Sequence, residues 1–69
     1  MSTDHDTQRI AEAMGALGSA LATLGRDGRL RDQATLFARF RTIARMDDTH
    51  AMADGMALLA KDARRAAGG

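Results

Sequence analysis

The sequence of 69 residues has no cysteine, proline, tryptophan or tyrosine, and only two phenylalanines. Without cysteine the chain can form neither a disulfide nor a thiolate metal site. A chain this short buries only about 60% of the surface that its unfolded form exposes, so its core is small even before the shortage of aromatics is counted. Small domains compensate with disulfides, metals or self-association. The composition therefore favours self-association.

Two kinds of targeting segment are also missing from the sequence. The first eight residues, MSTDHDTQ, are polar and acidic, unlike the basic and then apolar start of a secretory signal. The most apolar stretch, residues 10–25, would span about 24 Å as a helix, whereas a bilayer core needs about 30 Å. The lack of cysteine agrees with a reducing compartment. We expect a cytoplasmic protein with no membrane partner.

The residues that are present favour helix throughout the chain. Alanine, leucine, arginine and methionine dominate, and no segment alternates as a strand does. Glycine and aspartate divide the sequence into three predicted helices: from Thr3–Asp6 to Gly25, from Leu30 or Asp32 to Met46, and from residues 47–49 to about Ala67. A single helix over 30–67 remains the alternative.

These segments predict one all-α domain over residues 1–69, with frayed ends at 1–5 and 67–69. The two to three helices form a helical hairpin or three-helix unit that assembles into a homo-oligomeric bundle. A dimer is the expected form.

The first predicted helix carries two regular rows of side chains. Large apolar residues recur at steps of four and three, which is the pattern of a helix packed along another at a shallow angle. A second row holds only alanine and glycine, and its two internal glycines cost about 1 kcal/mol each relative to alanine. We expect close packing to offset that cost. The predicted oligomer interface consists of Ile10, Met14, Gly15, Leu17, Gly18, Leu21 and Leu24.

The second predicted helix is a conventional amphipath with both phenylalanines. Leu36, Phe40 and Ile43 form its apolar side, which Leu30 and Phe37 widen. We therefore expect it to be the central core element, with the other two helices packed on it.

Arginines on the opposite arc of this helix and two methionines of the third helix are the candidate partner-binding residues. Methionine adapts to varied partners, although it also fills gaps in cores that lack aromatics. The arginines could equally form a solvated or ion-paired face. The candidates are Arg39, Arg41, Arg45, Met52 and Met56.

Nothing in the sequence indicates catalysis. There is no Ser/His/Asp or Cys/His set, no glycine-rich phosphate loop after a strand and no pair of carboxylates in a cleft that so short a chain could close. His50 and Asp54 lie four residues apart, as metal ligands on a helix do, but helix-capping acids beside an exposed histidine explain the same letters. We expect no enzyme, no cofactor and no metal.

Charge is concentrated in one part of the chain. The net charge is +1, yet residues 26–45 hold six arginines against two aspartates.

The predicted function is a homo-oligomeric protein–protein interaction module: an adaptor, inhibitor or accessory subunit of a larger protein. The alternative is a nucleic-acid-binding transcriptional regulator that uses the arginines of 26–45. Against this alternative, Arg39 and Arg41 point about 160° apart on a helix and no aromatics interleave with the arginines.

Overall fold

A computed structural model describes residues 2–68 of the chain, and their side chains from Asp4 onward. It contains three α-helices: α1 (Ser2–Arg26), α2 (Leu30–Ala44) and α3 (Thr49–Ala66). No strand occurs among these residues. The all-α prediction is confirmed, with three helices. Of the ends predicted to fray, Met1 and Gly69 lie outside the described residues, while Asp4 and His5 belong to α1.

The first helix ends one residue later than predicted, at Arg26. The helix continues through Gly25, and the residue with a left-handed conformation is Gly28, with a φ of 76°. The connection is tied back by the Arg29 amide, which donates to the Leu24 carbonyl at 2.8 Å. Glycine adopts positive φ without a steric penalty, so this position makes the tight connection between α1 and α2 possible.

An aspartate cap separates α2 from α3. The Asp48 carboxylate accepts hydrogen bonds from the backbone amides of His50 at 2.9 Å and Ala51 at 3.3 Å. These are amides that the first turn of a helix leaves without intrahelical partners. Residues 30–67 therefore form two helices, which excludes the single long helix.

The most extensive packing joins α1 and α3. These two helices run side by side in the same direction, and α2 lies antiparallel to them. The prediction that α2 is central is wrong: only Leu36 of α2 is buried. Alanine explains the difference, because its small side chain lets two helix backbones approach closely. The buried alanines of α1 and α3 are Ala13, Ala20, Ala53, Ala60 and Ala63.

Leucines fill the core between these helices. Leu24 and Leu59 are fully enclosed, while Leu17 and Leu36 keep 3% and 5% of their surface exposed. Burying one such side chain is worth about 1.5–3 kcal/mol. Ile43 of α2 reaches Gly55 of α3, where an added Cβ would lie 3.2 Å from the isoleucine. The single chain thus closes a core of its own.

No helix among the described residues combines the length and apolarity needed to cross a membrane.

Candidate interaction surface

A shallow apolar groove lies between α1 and α2 on the outside of the molecule. We call this surface the apolar face; it consists of Met14, Gly18, Leu21, Phe37 and Phe40, over a floor formed by Leu17. The groove has a volume of about 150 Å³. Met14 is 44% exposed and Phe37 49% exposed. These are large apolar side chains that the chain leaves open to water.

The apolar face arises because the large apolar row of α1 is wider than the core needs. Leu17 and Leu24 point into the core formed with Leu36 and Leu59, whereas Met14 and Leu21 are turned about 40–80° around the helix toward the phenylalanines of α2. On α2, Phe40 packs against the core, and Phe37 lies outside it with the two rings stacked at 6.0 Å between centroids. The structure is flat, with extents of 40 × 19 × 13 Å, and residues 2–68 form no fourth helix that could cover this side.

The row of small residues on α1 borders the apolar face and is open as well. Ala11, Gly15, Gly18 and Ala22 are exposed. A Cβ added at Gly15 or Gly18 meets no atom within 4 Å. The close packing expected at these glycines is therefore not made within the chain, and the row extends the uncharged surface beside Met14.

The structure divides the predicted interface residues into two groups. Leu17 and Leu24 are enclosed by the subunit's own core, and Ile10 is half-buried against the cluster of Ala13, Met56 and Ala60. The residues that reach the surface are Met14, Gly15, Gly18 and Leu21.

The two residues that widen the apolar side of α2 lie at the surface. Phe37 is one, and Leu30, two turns earlier on the same side of the helix, is 62% exposed. The sequence carries a signal for this: Leu36, Phe40 and Ile43 already fill one helix face, so the additional arc of Leu30 and Phe37 exceeds what one core can cover.

The predicted partner-binding residues also occupy different environments. Met56 is 2% exposed and belongs to the core, and Met52 packs half-buried against the same cluster. Their positions are those of gap-filling core methionines. Arg39 forms an ion pair with Asp62 of α3 at 3.0 Å. Arg41 and Arg45 are exposed, and no ion pair among the described side chains includes them.

A polar cluster joins the N-terminal halves of α1 and α3. Arg9 lies 2.8 Å from the Asp54 carboxylate and 3.5 Å from the buried Asp6, and His50 Nδ1 is 3.3 Å from Asp6. The hydrogen bond from Arg9 holds the pKa of Asp54 below its ordinary value and raises the pKa of Arg9. No group of three or more potential metal ligands occurs in residues 4–68. The cluster accounts for His50 and Asp54 as groups that link two helices.

No family model, curated protein or solved structure matches this chain.

Proposed function

We propose that this chain is a small helical protein–protein interaction module that acts as a homodimer, as an adaptor, inhibitor or accessory subunit of a larger protein. The observation that supports the proposal is the apolar face, where two half-exposed side chains flank an uncharged groove. Exposed apolar surface that is contiguous is typical of protein contact sites, whereas single scattered apolar residues are normal.

The accessible surface also favours association. The chain exposes 4594 Å². A compact monomeric protein of 7.3 kDa exposes about 4200 Å² by the usual scaling with mass. The chain thus exposes slightly more surface than a compact monomer of its mass.

A second copy matches the chemistry of the apolar face. The face carries no charge, so two copies can be brought together about a twofold axis without burying like charges against each other. The open glycines beside it allow the α1 backbones of two copies to approach closely. Covering the exposed half of Phe37 alone, about 100 Å², contributes roughly 2 kcal/mol per copy.

Sedimentation equilibrium on two double variants tests the proposal. Met14→Glu with Phe37→Glu places two carboxylates in the apolar face, at exposed helical positions that glutamate occupies readily. We expect the variant to remain folded and its dimer dissociation constant to rise at least roughly a hundredfold, since each unpaired buried charge costs several kcal/mol.

The matched control is Met46→Glu with Leu58→Glu. These residues are 39% and 57% exposed and lie away from the apolar face, and the variant carries the same change of charge. It should dimerise as the wild type does. A wild type that remains monomeric at about 1 mM, or a control that dissociates as strongly as the first variant, contradicts the proposal.

A further inference from the structure

Arg26, at the end of α1, is exposed, and the five arginines of residues 29–45 separate into two groups in the structure. Arg29 pairs with Asp32 and donates to the Ala66 carbonyl, and Arg39 pairs with Asp62. Arg31, Arg41 and Arg45 are exposed and take part in no ion pair within the described residues. The first group makes contacts within the chain, and the second is available for a ligand.

The second group lies on one side of α2, which we call the arginine face. Arg31, Arg41 and Arg45 fall within an arc of about 80°, centred opposite the buried Leu36, and extend over about 21 Å of the helix. Asp32 is the only acid in α2, and it is held by Arg29. The face therefore carries a cation at its start and two at its end, with no free acid of α2 beside them, although the chain's net charge is only +1.

The rest of the arginine face consists of small residues, so the arginines are the side chains that project from it. Ala34, Thr35, Ala38 and Thr42 lie between the arginines, and a shallow cleft of about 160 Å³ opens beside Arg41 and Arg45. The threonine hydroxyls donate to carbonyls of their own helix, Thr35 to Arg31 at 3.0 Å and Thr42 to Ala38 at 3.3 Å. A rigid anionic chain can approach the helix closely here.

The composition of the arginine face discriminates among anionic partners. A protein interface has an apolar or aromatic centre, and this face has neither. Single-stranded nucleic acid is held by aromatic side chains that stack on bases, which are also missing from it. Phosphates of a duplex require only cationic donors on a surface that can come close. The major groove of B-form DNA admits an α-helix, whereas that of A-form RNA is too narrow.

We infer that the arginine face of α2 binds the phosphate backbone of double-stranded DNA, without reading its sequence. Arg31, Arg41 and Arg45 each contact a phosphate, and α2 lies along the major groove. The arginine face adjoins the apolar face, because Phe37 and Arg41 lie one turn apart on α2, but none of the three arginines lines the apolar groove. Phosphate binding by the arginines does not require the proposed dimer.

Fluorescence anisotropy with a labelled duplex of mixed sequence, about two helical turns long, tests the inference. Three phosphate contacts predict a slope of about −2.7 in a plot of log affinity against log salt, or a loss of roughly fortyfold between about 50 and 200 mM salt. Arg41→Ala with Arg45→Ala should weaken binding by roughly tenfold or more and reduce the slope to about −0.9. Circular dichroism confirms that the variant is folded.

Arg64→Ala with Arg65→Ala is the matched control, because it removes two exposed arginines from α3 and leaves the arginine face intact. It should retain at least half of the wild-type affinity. Three results overturn the inference: no duplex binding at about 50 mM salt, an equal loss in the control, or tighter binding of single-stranded DNA or of an acidic peptide such as polyglutamate.

Discussion

Alanine substitutions should distinguish two kinds of helical glycine, which share helical backbone angles but differ in whether there is room for a Cβ. Gly15 and Gly18 have nothing within 4 Å of an added Cβ, whereas at Gly55 the Cβ would lie 3.2, 3.4 and 3.5 Å from three carbons of Ile43. All three lie within helices, and none has positive φ. Each substitution gains about 1 kcal/mol of helix propensity. Only at Gly55 does crowding oppose that gain.

The magnitudes follow from these distances. Gly15→Ala with Gly18→Ala should stabilise the monomer by about 2 kcal/mol, which raises the Tm of a domain this size by roughly 8–16 °C. At Gly55→Ala, overpacking against Ile43 costs about 1–3 kcal/mol, so this variant should be no more stable than the wild type.

The assay is urea and thermal unfolding followed by far-UV circular dichroism, because the chain has no tryptophan or tyrosine to serve as a fluorescence probe. All variants are made in the Met14→Glu, Phe37→Glu background, which keeps dimerisation from contributing to stability. If the double alanine variant is less stable than its parent, or if Gly55→Ala is stabilised by the same 1 kcal/mol expected for an open site, the reasoning is refuted.

Three further predictions concern the core, a helix cap and a charge cluster. Leu59→Ala removes a fully enclosed side chain and should lower the free energy of unfolding by about 2–5 kcal/mol. That loss is enough to leave much of the protein unfolded, which a thermal scan would show. A loss below about 1 kcal/mol would mean that α3 is not packed as described. Asp48→Ala removes the α3 cap and should cost about 1 kcal/mol in urea unfolding, while Asp48→Asn, which can still accept both amide bonds, should cost little; equal losses would contradict the capping role. Because the pKa of Asp54 is lowered in the folded protein, its contribution to stability is present above its ordinary pKa and is lost as the pH falls through the folded value. Asp54→Asn should therefore flatten the acid side of a plot of stability against pH and leave the neutral-to-basic side unchanged. An unaltered acid side would argue against the contact with Arg9.

The helices themselves were predictable because local chemistry determines them. Gly28 acts through its own backbone and Asp48 through its own carboxylate, the first in the connection after α1 and the second as the cap of α3. The helix ends moved by one or two residues because neighbouring positions in GRDG and in MDDT offer similar capping groups.

The arrangement of the helices was less predictable. The phenylalanines of α2 predicted a central position for this helix because each can bury a large area. Helix packing also depends on how closely two backbones can approach each other. Two alanine-rich helices can approach more closely than either can approach a helix that carries phenylalanine, so α1 pairs with α3, and Phe37 is left at the edge. A spacing of four and three residues identifies a row of apolar side chains, but not which of them face the chain's own core. Leu17 and Met14 belong to the same row on α1 and have opposite exposures, 3% and 44%.

Which arginines form ion pairs can be determined only from tertiary contacts. Arg39 and Arg41 are two residues apart in one helix, and only the position of Asp62 on α3 decides that the first is paired and the second is not. Sequence patterns give the side of a helix on which a charge lies. They do not give the partner across from it.

Concentration-dependent NMR of the methionine methyl groups tests the central claim, that a second copy covers the apolar face, most directly. The methionines report on three environments: Met14 within the apolar face, Met46 exposed at the α2–α3 connection, and Met56 in the core. We predict that the Met14 methyl resonance shifts as the protein concentration is raised through the dissociation constant, while those of Met46 and Met56 stay in place. A Met14 resonance that does not move up to about 1 mM protein, or a shift at Met46 instead, would contradict the claim.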